Sequence, residues 1–295
     1  MIATTGFFDG VHLGHRLVIE RLVSLARERG DESLVVTFWP HPRAVLQDGA
    51  RELRLLNSLE EKKELLRSLG VDRVEVLDFT RSFAALTAEQ YLREILRDRY
   101  GVTTLLMGYD NRLGSDRLTA DMLLSKASAL DIELIELEPF GQDVHPALTH
   151  ISSTRIRKSL EDGKVEEAAE MLGYRYSLKG VVVAGNRLGR TIGFPTANMK
   201  LYEPLKLVPG RGVYAVEAEV LGKKYRGMTN IGLRPTVGGS FTTIETHILD
   251  FDEDIYGLPL RITFLRRLRD EVHFPSLEAL KDQLEKDREC CREQK

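Results

Sequence analysis

The sequence predicts two domains of different class: an α/β domain on a doubly wound parallel sheet, then a mainly antiparallel β-barrel with a C-terminal helix. Up to Gly173, β-branched apolar runs alternate with amphipathic stretches of helical period. From Tyr174 onward that alternation stops, and short apolar runs follow one another across glycine-containing turns until a last amphipathic stretch. The chain has 295 residues, 42% of them hydrophobic, enough for a separate core in each part. The expected domains are therefore 1–173 and 174–295.

In order, Met1 to Thr5 reads as the first strand. Leu13 to Arg29 reads as a helix with Leu17, Val18, Leu22 and Leu25 at helical spacing, stopped by Gly30. SLVVTFWP, Ser33 to Pro40, is the second strand, ended where His41, Pro42 and Arg43 impose an irregular loop. Ser58 and Glu61 form a capping box for a helix to Leu69, followed by Gly70 and the strand Val74 to Phe79. Thr87 and Gln90 repeat the device for a helix to Tyr100, ahead of the strand Thr103 to Gly108. A helix near Thr119 to Leu130 and the strand Ile132 to Leu137 complete the alternation, and a helix Val165 to Leu172 ends at Gly173. Beyond it the expected strands are Ser177 to Ala184, Gly212 to Val220, Lys223 to Ile231, Thr242 to Asp250 and Leu260 to Leu268, with a helix from Ser276 to Cys290. Val181, Val183, Val213, Ala215, Ile244, Ile248 and Ile262 are the expected barrel core.

Lys and Arg number 42 against 45 Asp and Glu, a net charge of −3. Without a basic stripe, nucleic acid is a poor partner, because phosphate-backbone affinity rests on clustered cations. No uninterrupted apolar run reaches the roughly 18 residues that span a bilayer, and the start carries no signal-peptide pattern, so no membrane partner is expected. Cys290 and Cys291 are adjacent in a charged stretch and make neither a disulfide framework nor a zinc site, which fits a reducing cytoplasm.

The densest chemistry lies in TTGFFDGVHLGHR, Thr4 to Arg16, where a strand turns through glycines into a helix. Gly10 and Gly14 admit backbone close to a ligand, and the free N–H groups of a helix start attract phosphate. His12 and His15 face the same way over that site. Their N–H groups can donate to phosphoryl oxygens, which points to nucleotidyl transfer. A metal-binding pair is another reading, although no third His or Cys stands near in sequence, and structural histidines in a surface turn are a further one. His41 and Arg43, and the loop GYDNRLG from Gly108 to Gly114 with Asp110, Asn111 and Arg112, follow strand ends on the ligand side of an open sheet; for His41 and Arg43 a solvent-exposed loop is the other reading. In ISSTRIRKSL, Ser152, Ser153 and Thr154 precede Arg155, Arg157 and Lys158 at a helix start, a second anion cradle or an ordinary N-cap with a basic face. In AGNRLGRTIGFPTAN, Gly185, Gly189 and Gly193 let N–H groups wrap phosphate, with Arg187 and Arg190 adding charge. No Walker lysine follows.

FFDGVHLGH resembles the signature of nucleotidylyltransferases with the HxGH motif and, with FDG ahead of it, the FAD synthetase half of bacterial bifunctional riboflavin kinase/FAD synthetases. SSTRIR is similar to the motif that partners HxGH in that family. GFPTAN resembles the hallmark of riboflavin kinases, and NIGLRPTVGG from Asn230 and IETHILDF from Ile244 follow in the family's order, so the resemblance covers nearly the whole chain. It implies phosphorylation of riboflavin to FMN with MgATP in the second domain. In the first it implies transfer of AMP from ATP to FMN, giving FAD and pyrophosphate.

The resemblance further implies that His12 and His15 act in adenylyl transfer while Gly6, Phe8, Asp9, Gly10, Gly14, Asp110, Ser152, Ser153, Thr154 and Arg157 bind nucleotide. In the kinase it implies Gly185, Gly189, Arg190, Gly193 and Pro195 at the phosphates, Thr196 and Asn198 at Mg²⁺, and Arg269, Glu271 and Phe274 at the flavin. Glu245 is implied as the general base for the riboflavin 5′-hydroxyl. Strand alternation puts it on one face with His247 and Leu249, while an edge-strand glutamate in solvent is the other reading. In GYDNRLG, Asn111 and Leu113 replace the family's aromatics, and Ser115 and Asp116 stand where basic residues are usual. That departure motivates the alternative of a riboflavin kinase with a degenerate first domain. A related transferase acting on another phosphate ester, with the barrel as a flavin sensor, is a third reading.

Overall fold

The computed structural model describes residues 1–47, 53–108, 113–116, 118–137, 151–185, 188–236 and 239–292. The chain divides into two compact units, Met1–Ser153 and Thr154–Lys295.

In the first unit, β1 (Ile2–Thr5) leads through a loop into α1 (Leu13–Arg29), whose C-cap Gly30 is left-handed as its sequence position requires. β2 (Ser33–Trp39) is followed by α2 (Pro42–Leu46), where an irregular loop was expected. His41 Nδ1 accepts from the Arg43 N–H at 3.0 Å, and Pro42 occupies the first helical position, where a missing N–H costs nothing. α3 (Leu59–Ser68) begins on the Ser58–Glu61 capping box, and β3 (Arg73–Asp78) and α4 (Arg81–Ala84) follow. The Thr87–Gln90 box starts α5 (Ala88–Gln90), which widens at once into a π-helical segment, Tyr91–Arg97, rather than continuing as α-helix. β4 (Thr104–Gly108), α6 (Ala120–Ser128) and β5 (Glu133–Leu137) complete the unit.

The sheet is parallel in the order β3-β2-β1-β4-β5. Adjacent residues of β1 go to opposite layers: Ile2 packs under α1 with Val35 and Leu106, and Ala3 packs with Leu34, Tyr91 and Leu123 on the other face. The strand order reverses between β1 and β4, so the crevice outside their carboxyl ends is where ligands bind in this class of sheet. The loop after β1, which ends on His12, and the first turn of α1, which carries His15, open there.

From its second residue on, α7 (Ser153–Glu161) belongs to the second unit, which also contains α8 (Val165–Leu172), β6 (Ser177–Val183), α9 (Leu188–Thr191), β7 (Ala197–Leu201), β8 (Gly212–Val220), β9 (Lys223–Thr236), β10 (Gly239–Ile248), β11 (Pro259–Arg269) and α10 (Leu277–Arg292). The division of the chain falls before Thr154, whereas the expected boundary follows Gly173. The helices between these points side with the barrel: α8 packs on β11, and the Gly210 N–H donates to Leu160 O at 2.8 Å.

The strands close into a barrel in the order β10-β7-β6-β11-β8-β9. β7 was not expected as a strand; it pairs with β6 on one side and β10 on the other, which completes the closure. β6 also faces the opposite way from the expectation. Leu178, Gly180 and Val182 are buried and Val181 and Val183 are not, a one-residue change of phase that exchanges the two faces; on the buried row a Cβ at Gly180 would stand 2.3 Å from Lys200 O, so that position takes glycine. Val213, Ala215, Ile244, Ile248 and Ile262 are buried as expected. Cys291 is buried in the cluster that joins α10 to the barrel.

Candidate active sites

Between β1 and α1 the backbone takes a strained path, with φ of 52° at Phe8, 87° at Gly10 and 36° at Val11. For non-glycine residues, a β-branched one above all, such conformations cost about 1–3 kcal/mol each and persist only where surroundings impose them. Here they do. Phe8 and Val11 are buried in the layer under α1, the Asp9 carboxylate accepts from the N–H groups of Leu56 (3.0 Å) and Asn57 (3.3 Å), and Ser153 Oγ donates to Asp9 O at 2.9 Å.

His12 caps α1, its Nδ1 accepting from the His15 N–H at 3.3 Å, which leaves Nε2 as the proton-bearing nitrogen of the neutral ring. The two imidazoles stack with centroids 3.6 Å apart, and a Cβ at Gly14 would press to 3.3 Å of the His12 ring. His15 Nδ1 is buried without a hydrogen-bond partner, a polar atom in need of a ligand. Burial, then the His12 and Lys62 charges, hold the His15 imidazole well below its usual proton affinity, so it stays neutral near pH 7. Beside this loop a cavity of about 470 Å³ is walled by Gly6, Phe7, Phe38, Phe79, Phe83 and Tyr91.

In the barrel, ladder register assembles the second site. Glu245 pairs with Asn198 of β7 on one side and with Asn230 of β9 on the other, which brings these three side chains to one face. His247 Nδ1–H donates to Pro195 O at 2.8 Å and its ring lies 5.1 Å from that of Phe194, tying the GFPTAN segment to the strand that bears Glu245. Burial lowers the proton affinity of His247. A cavity of about 560 Å³ holds Asn230, Glu245, Glu271 and Phe274, and Leu280 and Leu284 of α10 wall it. A second cavity of about 250 Å³ is lined by Arg190, Pro195, Asp252, Glu253 and Tyr256. Thr196 lines both.

The profile of the FAD synthetase family matches residues 1–155, and that of the riboflavin kinase family matches 172–295. The chain is 37% identical to the bifunctional riboflavin kinase/FMN adenylyltransferase of Listeria monocytogenes, over 97% of this chain and 90% of the relative. With the enzyme of the same description from Escherichia coli K12 it shares 38%, over 99% and 92%. The chain belongs to the bifunctional riboflavin kinase/FMN adenylyltransferase family. Both domains are present, so the kinase-only alternative is not favoured. A solved structure described as a macrolide-efflux protein from Streptococcus pneumoniae matches with a TM-score of 0.90 at 34% identity, over 100% of this chain and 94% of that one. Among the described residues no helix is long and apolar enough to cross a membrane, and no group of three His, Cys, Asp or Glu side chains is placed to hold a metal ion.

Within the FAD synthetase unit, Gly6, Phe8, Gly10, Gly14, His12, His15 and Ser153 come together around the β1–α1 loop, with Ser152 just before α7. Asp9 lies in the same loop. Its carboxylate accepts from the Leu56 and Asn57 N–H groups, which ties the loop to the segment before α3. Gly6 lies in the aromatic cavity, where a Cβ would come to 3.0 Å of the Phe8 ring. Thr154 and Arg157 lie on α7 beyond the division, and Asp110 and Arg187 lie outside the described residues. Asp116, one of the departures, accepts from the Ala88 N–H at 3.0 Å and so helps start α5.

In the kinase unit, Gly185 and Gly189 serve close approach: Cβ atoms there would stand 2.1 Å from Asn198 Nδ2 and from Phe194 O. Gly193 takes a φ of 85°. Arg269 lines the larger cavity but spends its guanidinium on buried Asp287 at 2.8 to 3.2 Å, and it lies 5.5 Å from the Phe274 ring centre. It therefore ties β11 to α10. Sequence reasoning missed the aromatic cavity, His247 as a link, the Asp252–Tyr256 wall and Lys62. The last had a signal, a lysine four residues before Leu66 on the apolar stripe of α3.

Proposed function

We propose that the barrel unit phosphorylates riboflavin to FMN and that the first unit transfers AMP from ATP to FMN, with the residues above in the following roles. The observation that carries the kinase reading is Thr196 standing between two cavities, the larger with Glu245 and the smaller with Arg190. Riboflavin occupies the larger, its ring against Phe274 and its 5′-hydroxyl at Glu245, which takes the proton as the oxygen attacks the γ-phosphorus of ATP in the smaller. ADP leaves on the Arg190 side. The Thr196 hydroxyl and Asn198 amide oxygen, with Glu245 paired beside Asn198, are hard oxygen donors on one patch. That set suits Mg²⁺ bound with substrate phosphates rather than in an all-protein cage. When bound, Mg²⁺ would neutralise charge on the transferring phosphoryl group.

In the first unit, the aromatic cavity receives the isoalloxazine ring of FMN, and the phosphate points toward the histidines. An FMN phosphate oxygen attacks the α-phosphorus of ATP, and pyrophosphate leaves. His12 and His15 donate to phosphoryl oxygens as charge grows, and the unpartnered His15 Nδ1 supports that role. The cytoplasm, with ATP and reduced thiols, is the compartment that suits this chemistry. Incubation with riboflavin, ATP and Mg²⁺, resolved by chromatography, yields FMN and then FAD. FMN without FAD removes the adenylyltransferase reading, and no FMN removes the kinase reading.

A further inference from the structure

Lys62 reaches into the first unit from α3 and is completely buried. Its ammonium donates to Phe7 O at 2.8 Å and to Thr37 Oγ1 at 3.1 Å, and lies 3.7 Å from the centre of the Phe7 ring. Both acceptors are uncharged. Such contacts do not repay the lost hydration of an ammonium. Burial pushes the Lys62 pKa from an ordinary 10.5 down to about 7, with the Asp9 carboxylate acting the other way. Nor does the Phe7 carbonyl depend on it, since the Thr37 hydroxyl also donates there at 3.2 Å. An apolar side chain would pack α3 at lower cost. The charge lies beneath the loop of His12 and His15, close enough to depress His15.

We propose that Lys62 is a positioning residue for adenylyl transfer: it clamps the Phe7 carbonyl and Thr37 to α3 and sets a positive charge beneath the phosphate-binding loop, where it stabilises bound polyphosphate through that loop. This rests on the first unit being the adenylyltransferase. The titratable groups in electrostatic reach of the ammonium are Asp9 on the β1–α1 loop and His15 in the first turn of α1; the His41 ring packs on Phe7, and Glu61 on α3 is turned to the Ser58 N–H. Polyphosphate raises the proton affinity of the lysine, so nucleotide binding takes up a proton from solvent and keeps the ammonium charged as pyrophosphate leaves.

Two measurements on the full chain test this. In the wild-type protein the Lys62 side-chain carbon signal titrates near pH 7, and Mg²⁺ with α,β-methylene-ATP moves its midpoint up by about one unit or more. A midpoint that ignores the nucleotide overturns the proposal whether or not any variant folds. In Lys62→Met, FAD formation from supplied FMN falls by about 10- to 100-fold, FMN formation in the same sample stays within about twofold, and unfolding at pH 7 comes no earlier. A folded lysine that holds its proton less tightly than the unfolded chain gains stability as pH rises from about 7 to 10.5, and the Met variant loses that slope. Unchanged FAD formation, or a loss that comes with earlier unfolding, overturns the role. Wild-type protein that makes no FAD from FMN while its Lys62 midpoint still responds to nucleotide overturns the adenylyltransferase reading, and this role with it.

Discussion

The two sites are positioned by different means. In the barrel, Asn198, Glu245 and Asn230 stand side by side because three strands are in register, and each position is secured by hydrogen bonds that repeat along the ladder. In the first unit, His12 and His15 sit at the end of a loop with positive φ at Phe8 and Val11, held by contacts from segments far away in the chain: Leu56, Asn57, Lys62 and Ser153. A ladder places side chains without strain, so a single substitution there removes one function and little else. A strained loop needs remote contacts, so substitutions far from it in sequence can reach its geometry.

The strongest break to that contrast comes from Glu245, the proposed base. Glu245→Gln is expected to lower FMN formation by about 10²- to 10⁴-fold while FAD formation from supplied FMN stays intact, read by chromatography of both flavins. Equal loss of both activities would mean that the sites do not fail independently. Next in size, His15→Ala slows adenylyl transfer by about 10² to 10³, the usual cost of one preorganised donor, and leaves the kinase unchanged. Transfer that survives, or that needs zinc rather than Mg²⁺, removes the role given to His15.

A smaller effect sharpens where the barrel unit begins. A fragment from Thr154 to Lys295 folds and makes FMN, whereas one starting at Tyr174 lacks Ile156, Leu160, Val165 and Leu172, all buried. Buried aliphatic side chains contribute about 1.5–3 kcal/mol each, so the shorter fragment melts at least about 10 °C lower by circular dichroism. Equal melting would return the boundary to Gly173. The smallest is Ser58→Ala, which removes a cap next to the Asp9 anchor and costs about 1 kcal/mol in denaturant unfolding of the first unit, with FMN formation unchanged.

Sequence by itself determined what local chemistry controls. The Ser58–Glu61 and Thr87–Gln90 boxes and the glycine stops at Gly30 and Gly173 act within one turn of a helix, and all four stand where the residues place them. The alternation of Glu245 and His247 against Thr246 and Ile248 is equally local, a consequence of the pleat. The family motifs are contiguous and were legible for the same reason. Tertiary structure alone decided what depends on distant partners. Ala197–Leu201 is a strand because β6 and β10 offer it ladders, and which row of β6 is inward, Val182 rather than Val181 and Val183, is decided by the closure of the barrel. The Asp9 carboxylate meets the Leu56 and Asn57 N–H groups, and Lys62 meets Phe7 and Thr37, only through contacts that no neighbour in sequence announces. A residue's own neighbours in sequence set its backbone, but the free energy of a buried charge or an inward side chain is set by whatever the fold brings against it.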